Sequence, residues 1–298
     1  MRKFILGTDW FTDCDDVCAL RVLTRAHKRG EIKLCGVAIN ACLPESYASV
    51  IGFLRSEGLD KEIPVGLDAK ATYMNGNASY QKRLALLAPE VDNSMAPSAL
   101  SIYRKVFAEE DEVDIIEIGF EQVIGAFIRS GADEYSPLSG KELMKEKCGR
   151  VWVMGGRWDK DGAAEYNFSD HIQTRKGANI LCGECPVPVV FSGWEIGADP
   201  KFGKHIDHND LLYGVMLDHH SENGRSAYDP LTVLLAITGD IEKAGYTAAA
   251  GKFSVNEENG ECHFAADETA KDVYVIKKFP DEYYEMLVDE AAGINGTV

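Results

Sequence analysis

The stretch Phe4-Ile5-Leu6-Gly7-Thr8-Asp9-Trp10-Phe11-Thr12-Asp13-Cys14-Asp15-Asp16-Val17-Cys18-Ala19-Leu20 runs from an apolar triplet through an acidic segment into a second apolar region. Beyond it Val17, Leu20, Val22, Leu23 and Ala26 recur at helical spacing until Lys28-Arg29-Gly30 stops the pattern. The spacing predicts strand, loop and helix in that order. The same order repeats outward: strand at Ile32 to Ile39, helix at Ser46 to Ser56, short strand at Ile63 to Gly66. It resumes with a strand at Val113 to Ile118, a helix at Glu121 to Ser130, and strands at Arg150 to Met154 and Pro188 to Ser192. Such alternation predicts an α/β protein, an open and mostly parallel Rossmann-like sheet flanked by helices. Thr72 to Pro97 is polar, with scattered Gly, Asn and Pro, and reads as a long excursion or lid. No composition shift marks a linker, so 1–298 is expected to form a single domain. Residues 251–298 read as a hairpin around Asn259-Gly260, with Lys252 to Val255 facing His263 and Phe264, followed by a helix from Asp281 to Ala292.

The 298 residues carry 31 Lys+Arg against 48 Asp+Glu, a formal net charge of −17. A surface so acidic repels polyanions, which argues against nucleic acid as a partner. No apolar run reaches the length of about 18 residues that a membrane-spanning helix needs. Phe4 to Leu6 is too short for the apolar region of a signal peptide, so the expected location is the cytoplasm. The eight cysteines, several inside apolar runs such as Lys33 to Val37, read as reduced core thiols. Cys182-Gly-Glu-Cys185 lacks the second pair that a structural metal site would bring.

Ligands of open α/β sheets bind beyond the carboxyl ends of the strands, which is where the first loop lies. It holds Asp9, Asp13, Asp15 and Asp16 within eight residues. Like charges so close repel unless a cation neutralises them, and an all-oxygen donor set suits a hard ion such as Ca²⁺ or Mg²⁺. A solvated acidic loop, with Asp15 or Asp16 capping the helix, remains the plainer reading of the loop alone.

The segment Gly7 to Leu20 also resembles the amino-terminal signature of the inosine-uridine preferring nucleoside hydrolase family, D-x-D-P-G-x-D-D ahead of a helix. The resemblance continues at Asn40 after the second strand and at Val151-Trp152-Val153-Met154-Gly155-Gly156. It extends through Ala164-Glu165-Tyr166-Asn167-Phe168 to Tyr228-Asp229-Pro230-Leu231. It implies a nucleoside hydrolase fold and Ca²⁺-dependent hydrolysis of the N-glycosidic bond of a ribonucleoside, releasing base and ribose, and it suggests a homodimer or homotetramer. Carried over residue by residue, it makes Asp9, Asp16, Asp229 and the Gln122 carbonyl the metal ligands. Asp9 becomes the general base. Asp15, Asn40, Glu165 and Asn167 contact the sugar, and Met154 and Phe168 wall the ribose. The alternative for Glu165 and Asn167 is ordinary loop polars, and Met154 reads as readily as core.

Three departures qualify the resemblance. The loop is two residues longer, leaving Asp13 without a role. Gly119-Phe120-Glu121-Gln122 replaces G-P-L-T. Tyr228 stands where many members have a His that protonates the leaving base, and a phenol is the poorer acid at neutral pH. Tyr228 therefore either donates a proton weakly or stacks, and Trp10, Phe11, Trp158, Trp194 and Tyr166 offer aromatic surface to a planar base. The expectation is either a pyrimidine or broad nucleoside preference, because an electron-poor base departs with less protonation, or a substrate that is not a common nucleoside at all. His205, His208, His219 and His220 read as solvated loop and helix residues. Competing readings are a nucleoside or ribose binder that lost the chemistry, and a haloacid-dehalogenase-like phosphatase built on Asp13-Cys14-Asp15.

Overall fold

The computed structural model describes residues 1–73 and 76–294. The first strand is β1 (Arg2–Thr8), and Phe4 and Leu6 pack on one face of the sheet while Ile5 packs on the other, as the period of two requires. Then follow α1 (Asp15–Lys28), β2 (Ile32–Ile39), α2 (Ser46–Ser56), β3 (Val65–Leu67), α3 (Ser79–Ala85), α4 (Ala99–Glu109) and β4 (Val113–Glu117). The middle of the chain forms α5 (Gln122–Arg129), α6 (Gly140–Lys147), β5 (Val151–Met154), β6 (Ala163–Ala164), α7 (Tyr166–Ser169), α8 (Ile172–Glu184), β7 (Val189–Ser192) and α9 (Trp194–Gly197). The remainder comprises β8 (Lys201–Phe202), α10 (Leu211–Asp218), β9 (Arg225–Ser226), α11 (Tyr228–Thr238), β10 (Tyr246–Val255), β11 (Glu261–Ala266), β12 (Val273–Lys277) and α12 (Asp281–Ala292).

The main sheet has the order β3-β2-β1-β4-β5-β7-β12-β10-β11-β6. Every pair from β3 to β12 is parallel, and the three pairs from β12 to β6 are antiparallel. The expected α/β architecture is therefore present, with an apolar core on each face of one sheet. Strand order reverses between β1 and β4, which opens a crevice at their carboxyl ends. Among the described residues no helix is long and apolar enough to cross a membrane.

Two elements differ from the sequence expectation. The hairpin around Asn259-Gly260 forms, with Val255 opposite Cys262, but β10 starts at Tyr246 and β12 returns to pair with β7, so this region extends the main sheet. The Thr72 to Pro97 excursion includes α3, whose Tyr80, Gln81 and Leu84 are buried. Tyr80 donates its hydroxyl to the Phe11 carbonyl (3.1 Å) and the Gln81 amide donates to the Trp10 carbonyl. This segment braces the acidic loop; residues 74 and 75 within it, and 295–298 at the end of the chain, lie outside the described residues. Cys182 lies in the last turn of α8 with Cys185 capping it, both as free thiols whose pKa values burial pushes up.

Candidate functional site

The loop between β1 and α1 holds its shape through its own side chains. Trp10 sits at φ 45°, in the left-handed region that costs an ordinary residue about 1 kcal/mol or more. Its indole is buried, edge-on to Tyr80, and donates to the Ser49 hydroxyl at 2.8 Å. The turn brings the Trp10 N–H to Asp16 Oδ1 (3.2 Å), which also accepts the Thr8 hydroxyl, and the Phe11 N–H to Asp9 Oδ1 (3.1 Å). Asp15 and Asp16 open α1, and Asp229 lies in the first turn of α11. Asp15 Oδ2 accepts the Asp229 N–H at 3.2 Å. Two helix N-termini thus direct their positive ends at one spot, an arrangement that favours carboxylates there.

Beyond these carboxylates opens a cavity of about 320 Å³, lined by Asp9, Asp13, Asp15, Asp16, Met154, Glu165, Tyr166, Asn167, Trp194, Arg225, Tyr228 and Asp229, with Thr12 and Ile118. Carboxylate oxygens of Asp15, Asp16 and Asp229 lie within 4.8 Å of one another. Burial, then the neighbouring acids, raises the pKa of Asp9, Asp15 and Asp229 well above the usual range. Asp16, also buried, is pushed up to about 7. Four buried acids that resist ionising together, with only oxygen donors, are what a hard divalent cation would relieve. The residues present therefore fit a metal ion of that class.

Glu165 lines the same cavity. Its two oxygens accept the Asn167 N–H and the Gly156 N–H, each at 2.9 Å, and burial raises its pKa to about 7. The Asn167 amide nitrogen donates to the Met154 carbonyl at 3.1 Å, tying β5 to α7. Asp13 is a special case. Burial would raise it, but Arg225 grips it with Nε (2.8 Å) and Nη2 and, with His219 beside it at 3.7 Å, holds it below the usual carboxylate range.

Of the residues singled out from the sequence, Asp9, Asp15, Asp16, Met154, Glu165, Asn167, Tyr228 and Asp229 share this one cavity. Asn40, Gln122 and Phe168 do not line it. Asn40 is fully buried with both side-chain atoms engaged: Nδ2 donates to Glu117 Oε1 (2.8 Å) and Oδ1 accepts the Phe120 N–H (2.9 Å). The Gln122 side chain donates to the Asn40 carbonyl, while Ile118, four residues earlier, reaches the wall. Phe168 is wholly buried against Trp158 and Phe191. Among the five aromatic side chains offered for stacking, Trp10, Phe11 and Trp158 are core, and only Trp194 and Tyr166 line the cavity. Sequence reasoning missed Arg225, which meets Asp13 across 212 residues; the one local signal was a lone cation three residues ahead of Tyr228.

The sequence matches no family model and no curated protein. Solved structures do match. A plant nucleoside hydrolase, PpNRh1, superposes with a TM-score of 0.71 at 18% identity, over 98% of each chain. The inosine-uridine preferring nucleoside hydrolase from Bacillus anthracis gives 0.67 at 11% identity, over 98% of this chain and 99% of that one. The fold is that of the nucleoside hydrolases. The same fold covers the type III effector protein XopQ, solved in complex with adenosine diphosphate ribose, with a TM-score of 0.63 at 15% identity over 98% and 92%. In this nucleoside hydrolase fold the acidic cavity lies at the carboxyl ends of β1, β4 and β5, where strand order reverses.

Proposed function

We propose that this chain is a Ca²⁺-dependent ribonucleoside hydrolase that cleaves the N-glycosidic bond to free base and ribose. The observation that carries the reading is the convergence of Asp9, Asp15, Asp16 and Asp229, all buried, with Glu165 and Asn167 in one cavity. Asp16 and Asp229, with Asp9 or Asp15, would hold the ion. When bound, it supplies the charge that keeps these acids ionised, holds vicinal ribose hydroxyls and lowers the pKa of water. Asp9 is the general base, its Oδ1 fixed by the Phe11 N–H and its second oxygen available for a water proton. Glu165 and Asn167 meet the sugar hydroxyls, a match that a deoxysugar forfeits. Met154 is the apolar wall. The charge that builds on the ring as the bond breaks is positive, so a cavity walled by carboxylates suits the transition state.

The binder reading draws support from Tyr228. Burial raises its phenol further above its usual value, with Arg225 only partly opposing, so it withholds its proton at neutral pH. The phosphatase reading loses its nucleophile, because Asp13 is committed to Arg225. Cytoplasmic residence and a homodimer or homotetramer belong to the same proposal. The test is release of reducing ribose from uridine, cytidine, inosine, adenosine and guanosine, with Ca²⁺ and after chelation. Release abolished by chelation supports the hydrolase. Ca²⁺-dependent ribose binding without release replaces it with the binder, and indifference to Ca²⁺ overturns both.

A further inference from the structure

Arg225 is the one cationic side chain on the cavity wall among the described residues. It opens β9 just after Gly224, and β9 is held by pairing with β8. Asp13 takes its Nε and Nη2, a two-point grip that fixes the plane of the guanidinium. Nη1 has no hydrogen-bond partner among the described residues. The longer loop carries Asp13, which meets Arg225 on the wall of a cavity that Tyr228 and Trp194 also line.

The reaction needs help at the departing base. As the glycosidic bond breaks, its electron pair moves onto the base nitrogen and the base departs as an anion unless it is protonated. A phenol is a weak acid for the task, whereas a guanidinium is positive at every working pH. Resting on the hydrolase reading, we propose that Arg225, oriented by Asp13, stabilises the departing base by donating from Nη1 to a ring carbonyl oxygen. The bond between C1′ and the base nitrogen breaks and both its electrons stay with the base. The water oxygen bonds to C1′ and its proton passes to Asp9. The anionic base takes a proton from solvent after leaving, Asp9 returns its own, and the sum is one nucleoside plus one water giving ribose and neutral base. The favoured substrates have a carbonyl next to the glycosidic nitrogen. Uridine and cytidine have one; adenosine has no carbonyl at all.

The experiment compares the wild type, Arg225→Met and Arg225→Lys on uridine and on p-nitrophenyl riboside, whose leaving group departs as a stable anion without help. For Arg225→Met, kcat on uridine is expected to fall about 100-fold, the scale of one lost charge-stabilising donor, and the loss on p-nitrophenyl riboside to be far smaller. Added guanidinium should restore part of the uridine rate. Calorimetric binding of 5-nitrouracil, an anion at neutral pH, should weaken about tenfold or more. Equal losses on both substrates, a rise in KM with kcat unchanged, or faster turnover of adenosine than of uridine would overturn the proposal. If Arg225→Met loses its melting transition, Arg225→Lys decides: it keeps the charge without the fork and should show the same selective loss to a smaller degree. No turnover of either uridine or p-nitrophenyl riboside by the wild type defeats the hydrolase reading instead, and 5-nitrouracil binding then judges Arg225 alone.

Discussion

Glu117 at the end of β4 and Asp229 at the start of α11 are both buried acids near the same strand ends, and their surroundings differ. Glu117 receives hydrogen bonds from neutral donors, the Asn40 amide (2.8 Å) and the Tyr103 hydroxyl (2.7 Å). Burial still lifts its pKa to about 8. Gly7 packs directly over its carboxylate, leaving no room for a Cβ, and Glu117 is wholly buried. Asp229 has three acids for company and opens onto a cavity. Burial alone does not make a carboxylate functional. A satisfied, covered acid is part of the frame, whereas acids crowded at a cavity floor keep an unmet need for positive charge.

Asp229→Asn breaks the contrast most sharply. It should lower ribose release by several kcal/mol of transition-state stabilisation, about a thousandfold or more. In chelator it should leave the melting temperature unchanged or raise it, since it removes a repelling charge, and the Ca²⁺-induced rise in melting temperature should largely vanish. Loss of stability together with retained activity would mean that the cluster is framework.

Asn40→Ala attacks the opposite side. It strips Glu117 of a donor and the Phe120 N–H of its acceptor, and should cost about 1–3 kcal/mol in chemical denaturation. Because Asn40 does not line the cavity, KM for ribonucleosides should change little if the fold holds. A large KM effect with unchanged stability would restore the sugar-contact role expected from the sequence.

The pH dependence of melting sharpens the comparison further. Glu117 is raised to about 8, and Asp16 and Glu165 to about 7, above the range of about 4 for unfolded carboxyls. Between those limits the folded state binds more protons than the unfolded one, so metal-free stability should fall as pH rises from 5 to 8, as scanning calorimetry in chelator would measure. Saturating Ca²⁺ should flatten the part of the slope due to the cavity acids and leave the part due to Glu117. Tyr228→Phe carries the smallest expected effect, less than about tenfold on uridine, because a phenol titrating well above neutrality contributes little as an acid. A larger loss, with a shift in the pH profile, would give Tyr228 the acid role.

Much of the site was legible because local chemistry marked it. Acids right after an apolar triplet, an A-E-F-N-like stretch and an acid at a helix start carry their meaning in a few neighbouring residues. Asn40 shows where this fails: its position after β2 is local information, but whether its amide turns to the cavity or to Glu117 depends on β4, 77 residues away. Trp10, Phe11 and Trp158 failed in the same way, since an aromatic ring reads identically whether it stacks on a ligand or fills a core.

By itself the sequence determined the alternation of strands and helices, the point at which acids follow β1, and the oxygen-only character of the donors. Those properties follow from periodicity and side-chain chemistry over short spans. Tertiary structure alone decided that β12 joins β7, that α3 braces the loop, and that Asp13 is neutralised by Arg225 while Asp9, Asp15, Asp16 and Asp229 are left together. Charge compensation depends on distances of a few ångströms between residues far apart in the chain, and composition and spacing do not encode such distances.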